Sequence, residues 1–173
     1  MDVFVPDMYQ KSIFTINYQT LKKRGISCLL FDLDNTICPI HSNEISKKVK
    51  DLFAYLEISG FKVIIISNSP KDRVKPFKEK LNVDAAHSSV KPLKKKYKKI
   101  MKMYDFKDTD IAAIGDQLLT DVFGANRMGI TSILINPISD VDASITKINR
   151  IIERKIYQNL EKKGFLKKGE YYE

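Results

Sequence analysis

Cysteine is scarce in this chain. Only Cys28 and Cys38 occur, and Cys28 sits inside an apolar run, so a disulfide framework is excluded and free thiols in a reducing compartment are expected. No apolar run approaches the roughly 18 residues of a membrane span, and residues 1–25 hold no secretory apolar core. A soluble, cytoplasmic protein is therefore the expectation. Repeats, low-complexity stretches and linker-like segments are also missing, so the 173 residues are expected to form one domain. Acid is in short supply: 30 Lys and Arg face 21 Asp and Glu, a formal charge of +9, and the seven lysines from Lys91 to Lys102 have no acid among them. This imbalance points to an anionic partner, whether a phosphorylated substrate, nucleic acid or an acidic membrane surface, and charge sign does not choose among them.

What is present alternates strand-like runs with helical patterns, which predicts an α/β fold: a doubly wound, Rossmann-like parallel sheet of about five strands flanked by helices. Strands are expected over Ile26–Phe31, Phe61–Ile66, Val83–Ala86, Ile111–Ile114 and Ile130–Ile135. Between them, Ile45, Val49, Leu52, Phe53 and Leu56 keep helical spacing, with Ser42 or Asn43 as the cap and Gly60 as the stop. Val74, Phe77 and Leu81 mark a second helix, and Leu93, Tyr97, Ile100, Met101 and Tyr104 a third. A helix after Asp121 is expected to stop near Gly129. From about Ser144 to Lys163 a basic amphipathic helix places Ile145, Ile148, Ile152, Ile156 and Leu160 on one stripe.

Four of these strands end in polar clusters. The first runs into Asp32-Leu33-Asp34-Asn35-Thr36, the second into Ser67-Asn68-Ser69-Pro70, the third into His87 through Pro92, and the fourth into Gly115-Asp116 with Asp121 close behind. In open parallel sheets ligands bind at the carboxyl ends of strands, where strand order reverses. Residues i and i+2 of an extended segment face the same way, so Asp32 and Asp34 leave the first strand side by side. Each cluster taken singly has an ordinary explanation. Asp and Asn are common turn residues, Ser67 and Asn68 could cap the following helix, Lys91 is one lysine among many, and His41 and His87 read as plain surface histidines. The ordered set is what points to phosphate chemistry.

In that order the four clusters resemble the motifs of the haloacid dehalogenase superfamily of phosphatases, over roughly Ile26 to Ile135. Phe4-Val5-Pro6-Asp7, Lys11-Ser12-Ile13-Phe14, Lys22-Lys23-Arg24-Gly25 and the run Thr146-Lys147-x-Asn149-Arg150-x-x-Glu153-Arg154 resemble its YqeG branch, which extends the likeness to nearly the whole chain. The resemblance implies a Mg²⁺-dependent phosphomonoester hydrolase. Asp32 would be the nucleophile, ionised at neutral pH because a carboxylate titrates near 4, and so able to attack without a separate base. Asp34 would be the general acid and base, a task that calls for a raised pKa. Ser67 and Asn68 would bind the phosphoryl oxygens, and Lys91 would offset their charge. Asp32, Asp116, the backbone carbonyl of Asp34 and, in support, Asp121 would hold the metal.

About 30 residues separate Asp34 from Ser67 and roughly two dozen separate Ser67 from Lys91, and core helices and strands consume nearly all of both. The cap domain that many members of the superfamily insert there has no room. An open site suits a large or surface-bound substrate, and the YqeG branch includes proteins resembling phosphatidylglycerophosphate phosphatases. Lys147, Arg150, Arg154, Lys155, Lys162 and Lys163, off the isoleucine stripe, would let the last helix lie peripherally on an anionic membrane, although such a stripe also packs well on a sheet. Two other readings stay open: an RNA- or ribosome-associated protein using Lys94, Lys95, Lys96, Lys98 and Lys99, and a receiver-type signalling domain. The latter needs an Asp at the end of its third strand, and Asp84 falls too early.

Overall fold

The computed structural model describes residues 3–139 and 146–173. Its strands are β1 (Met8–Gln10), β2 (Cys28–Phe31), β3 (Lys62–Ile66), β4 (Asp84–Ala86), β5 (Ile111–Gly115) and β6 (Thr131–Ile135). Its helices are α1 (Tyr18–Lys23), α2 (Lys47–Ile58), α3 (Lys71–Leu81), α4 (Lys94–Tyr104), α5 (Phe123–Asn126) and α6 (Thr146–Lys162). All strand pairs are parallel, in the order β1-β6-β5-β2-β3-β4. The order reverses at β2, which pairs with β3 on one side and β5 on the other, so the ends of β2 and β5 border the switch point.

The side-chain alternation of β2 explains the two layers of helices. Leu29 and Phe31 join Val63, Ile65, Ala112 and Ile114 in a core covered by α2 and α3 through Val49, Phe53, Leu56, Val74 and Phe77. Cys28 and Leu30 face the other way, with Ile64, Ile66, Ile111 and Ala113, beneath Tyr97 and Ile100 of α4. Burial on both faces is why these strands read as continuous apolar runs. Packing also decides α4. Lys94, Lys95 and Lys96 crowd its first turn, where cations oppose the helix dipole by about 0.3–1 kcal/mol each. Burying Tyr97 and Ile100 returns about 1.5–3 kcal/mol each and outweighs that cost.

The five expected strands are present, and β1 adds a sixth. The N-terminal residues, expected as an extension to the core, supply both β1 and α1. Reciprocal bonds hold β1 beside β6: the Asp7 N–H donates to Ser132 Oγ at 3.1 Å, and the Ser132 N–H donates to Asp7 Oδ2 at 2.8 Å. The cap of α2 is Ser46, whose Oγ accepts from the Val49 N–H at 3.3 Å, rather than Ser42 or Asn43. Those two residues turn instead toward Arg73 of α3, which donates to the Ser42 carbonyl at 2.6 Å and to Asn43 Oδ1 at 2.8 Å.

Among the described side chains of the α6 stripe, those at its far end pack. Leu160 is buried with Tyr9, Leu118, Val122 and Leu134, and Ile156 and Tyr157 lean on that cluster, whereas Ile152 is exposed. Ser144 and Ile145, where the periodicity starts this helix, lie outside the described residues, as do the side chains of Lys147, Ile148 and Arg150. Among the described residues no helix is long and apolar enough to cross a membrane.

Candidate active site

β2 and β5 run side by side, Phe31 opposite Ile114, and bring Asp32 and Asp116 to the same end of the sheet. Asp121 joins them from a π-helical turn at Leu118–Val122, where the N–H groups of Asp121 and Val122 both donate to the Gln117 carbonyl, at 3.0 and 3.2 Å. Wide turns of this kind recur at functional sites. Here the turn folds Asp121 back onto β5, and Gly115 makes this feasible: a Cβ at that position would lie 2.3 Å from Asp121 Cγ. One oxygen from each of Asp32, Asp116 and Asp121 lies within 4.8 Å of the others.

Lys91 enters this group from the loop after β4. Its Nζ is 2.6 Å from Asp32 Oδ1 and 2.5 Å from Asp121 Oδ1, and its side chain is only 2% exposed. Burial alone would drive the ammonium to give up its proton. The charges of Asp121 and Asp32 outweigh that pressure and raise its pKa. Far from being one more solvated charge, Lys91 is locked in a buried ion-pair network. Asn68 fixes its backbone from two directions, accepting from the Lys91 N–H at 2.6 Å and donating to the Lys91 carbonyl at 3.2 Å. Ser67 is buried, and its Oγ accepts from the Ser69 N–H at 3.1 Å, which leaves the hydroxyl proton for an acceptor in the site.

The ordinary carboxylate pKa does not hold for Asp32. Burial pushes it up to about 7, against the pull of Lys91 and with help from Asp121 and Asp34. Asp116 is raised well above the usual range, first by desolvation and then by the charges of Asp32, Asp121 and Glu153. A cluster of carboxylates under such mutual repulsion is the donor set that fits a hard divalent cation. The residues present therefore suit a divalent cation.

Asp34 stands apart from the three clustered acids. The next residue, Asn35, adopts a left-handed φ of 62°, which Asn tolerates, and turns the chain after the strand. Asp34 Oδ2 accepts from Ser69 Oγ at 2.6 Å, and Oδ1 accepts from Arg73 Nη2 at 2.8 Å and Nε at 3.1 Å. Neither Ser69 nor Arg73 stood out in the sequence as a site residue. No periodic signal marked the pair, because Ser69 precedes the Pro70 cap of α3 and only Arg73 lies within the helix. Of the two histidines, His41 is exposed and His87 only half-buried beside Ser88.

Residues 1–139 match the family model described as mitochondrial PGP phosphatase. The chain is 37% identical over 163 residues to the probable phosphatase YqeG of Bacillus subtilis, covering 94% of this chain and 95% of that protein. It is 22% identical over 144 residues to the chloroplastic/mitochondrial phosphatidylglycerophosphate phosphatase 1 of Arabidopsis thaliana, covering 78% of this chain and 41% of the other. Among solved structures, a putative hydrolase of the HAD superfamily, subfamily III A, from Legionella pneumophila shares the fold. Its TM-score is 0.53 at 21% identity, over 70% of this chain and 72% of that one.

Proposed function

The chain belongs to the mitochondrial PGP phosphatase family within the haloacid dehalogenase superfamily and is a phosphatase, and from that premise we propose that it hydrolyses phosphomonoesters with Mg²⁺ through an aspartyl-phosphate on Asp32. The observation that carries this reading is the Asp32 carboxylate itself: it stands at the switch point, paired with a buried Lys91 and set against two further acids.

In the first half-reaction an Asp32 oxygen attacks phosphorus, and the bond from phosphorus to the leaving oxygen breaks. Asp34 gives its proton to the departing alkoxide. In the second, Asp34 takes a proton from water, the resulting hydroxide attacks the acyl phosphate at phosphorus, and orthophosphate leaves as the Asp32 carboxylate is restored. Lys91 offsets the negative charge that accumulates on the transferring group, and Ser67 donates its free proton to a phosphoryl oxygen. Asn68 serves both by holding the Lys91 backbone. Arg73 and Ser69 fix the Asp34 carboxylate, which sets where its proton can be delivered. Bound by Asp32, Asp116 and the Asp34 carbonyl, with Asp121 behind them, Mg²⁺ would keep the carboxylates ionised and neutralise the phosphate.

For the substrate we take phosphatidylglycerophosphate, presented at an anionic membrane to which the protein binds peripherally. The name of the matching family supports this. So do the crossovers from β2 to β3 and from β3 to β4, which hold one helix each and no inserted domain. Exposed apolar side chains also sit next to site residues: Val90 and Leu93 flank Lys91, and the N–H of exposed Ile138 donates to the Asn35 carbonyl at 2.9 Å. Lys94, Lys95 and Lys96 add positive charge beside Leu93.

Phosphate release from 4-nitrophenyl phosphate by wild type, Asp32→Asn and Asp34→Asn, with and without EDTA, tests the mechanism. Asp32→Asn and EDTA should each abolish turnover, and Asp34→Asn should slow it. Equal rates in all three proteins would sink the reading. Sedimentation with neutral and anionic vesicles tests the surface: recovery in the supernatant with both would remove the membrane.

A further inference from the structure

The acids and the lysine gathered at the strand ends all come from residues 32–121, inside the part of the chain that the family model matches. α6 lies beyond that part. Its residues Glu153, Ile156 and Leu160 stand three and four positions apart and so share one face of the helix. Leu160 is buried in a cluster with Leu118 and Val122, and Ile156 packs against that cluster. Leu118 and Val122 are the first and last residues of the π-helical turn that carries Asp121. Apolar packing thus seats α6 on this turn. One helical turn before Ile156, Glu153 reaches the turn as well, its Oε1 accepting from the Leu119 N–H at 2.9 Å.

The turn and the Asp121 carboxylate form one unit. The Gln117 N–H donates to Asp121 Oδ2 at 3.2 Å, and the Gln117 carbonyl accepts from the N–H groups of Asp121 and Val122. A displacement of the turn therefore displaces the carboxylate. Two side chains from elsewhere in the chain hold this unit: Lys91 on Asp121 Oδ1 at 2.5 Å, and Glu153 on the Leu119 N–H. An N–H at the start of a helical turn has no acceptor within the turn, and a carboxylate is the strongest acceptor it can find. The oxygens that lie within 4.8 Å of one another belong to Asp32, Asp116 and Asp121, so Glu153 stands behind the cluster rather than in it. It is still near enough to line a cavity with Asp116 and to help hold the Asp116 pKa high through its charge. A plain cap would only stabilise a turn, whereas this one steadies a turn whose carboxylate belongs to the cluster.

We propose that Glu153 is a positioning residue of the metal site, holding the turn through the Leu119 N–H and so fixing Asp121 against β5. The inference rests on the reading of the acid cluster as a Mg²⁺ site and adds α6 to that site. Side chains that orient a ligand from behind, without touching the metal, are worth about 10–100-fold in metal affinity.

Calorimetric titration of Mg²⁺ into wild type, Glu153→Gln and Glu153→Met tests this without turnover. Both variants remove the charge and keep a side chain of similar length, but only Gln keeps an oxygen that can accept from the Leu119 N–H. Glu153→Met should weaken Mg²⁺ binding by about tenfold or more, and Glu153→Gln by no more than about threefold. Glu153→Ala, a truncation that a helix accepts readily, should match Glu153→Met. The Mg²⁺ concentration for half-maximal phosphate release from 4-nitrophenyl phosphate should rise in the same order. Wild-type affinity in Glu153→Met and Glu153→Ala overturns the proposal even where the Tm falls, because a purely structural cap gives that result. Equal losses in the Gln and Met variants also overturn it, since charge and not the hydrogen bond would then be at work. A wild type that binds no Mg²⁺ sinks the metal reading and this inference together. Affinity lost with Met and kept with Gln supports the inference even if Asp32 proves not to be the nucleophile.

Discussion

Arg73 reaches Asp34 with two nitrogens on one carboxylate oxygen, Nη2 at 2.8 Å and Nε at 3.1 Å. The same guanidinium donates to the Ser42 carbonyl and to Asn43 Oδ1 and lies over the Phe77 ring, so α3, the loop after β2 and the proposed acid/base are joined through one side chain. Arg73→Ala should lower kcat by about 10²-fold, the scale of effect expected when a reacting group is misplaced by an ångström. It should also destabilise the fold by about 1.5–3 kcal/mol through lost charged hydrogen bonds. Steady-state kinetics with urea unfolding would check both, and an unchanged kcat would remove Arg73 from the positioning of Asp34. Arg73→Lys should recover little, because a single ammonium cannot reproduce the fork.

Lys91 neutralises two acids at once in a nearly dry setting. Lys91→Met should therefore destabilise the protein by about 3–5 kcal/mol, the usual consequence of stranding a buried charge. Activity on 4-nitrophenyl phosphate should vanish. Urea denaturation would show the first effect; a stability equal to wild type would mean that Asp32 and Asp121 do not depend on this partner.

Gly115→Ala tests the geometry of the cluster. The new methyl would have to displace the Asp121 side chain, at a cost of about 1–3 kcal/mol for overpacking. With Asp121 moved, Mg²⁺ binding should weaken at least tenfold by calorimetry, and an unchanged affinity would show that Asp121 has no part in holding the metal.

Asp32 and Asp116 give the metal-free protein a distinctive response to pH. Both have folded-state pKa values above the ordinary carboxylate value, Asp32 at about 7. Such acids stabilise the fold fully below about pH 4, and the contribution is lost as pH rises through the folded value. In EDTA the Tm should thus fall between pH 5 and pH 8, and Asp32→Asn should flatten the decline. Added Mg²⁺ should raise the Tm more at pH 8 than at pH 5, because protons no longer compete for the carboxylates. Scanning calorimetry at four pH values would decide, and a metal-free Tm that climbs toward pH 8 would contradict the assignment.

The central strands were legible because burial on both faces leaves uninterrupted apolar runs such as Cys28–Phe31 and Val63–Ile66. So was the meeting of Asp32, Lys91, Asp116 and Asp121, since each follows a strand and parallel strands end together. β1 was not legible. Three residues carry no usable periodicity, and their pairing depends on residues 133–135 and 172, far away in the chain. Ser46 lost the cap to Ser42 and Asn43 in the sequence because all three are capping types; the partner of the other two, Arg73, lies about 30 positions on. The Asp32 pKa was misjudged for a related reason. A model-compound value holds for a solvated carboxylate, and the number of acids crowding one strand end is a property of the tertiary fold.

The outer edge of β1 is covered by the other end of the molecule. The Tyr9 N–H donates to the Tyr172 carbonyl at 3.0 Å, and the Tyr172 N–H donates back at 2.9 Å. During synthesis β1 is made well before its cover, which waits until residue 172 has been added. Through that interval a strand edge stands open to pairing with other chains, a familiar route to aggregation. The tail beyond α6 therefore acts as a latch over this edge of the sheet.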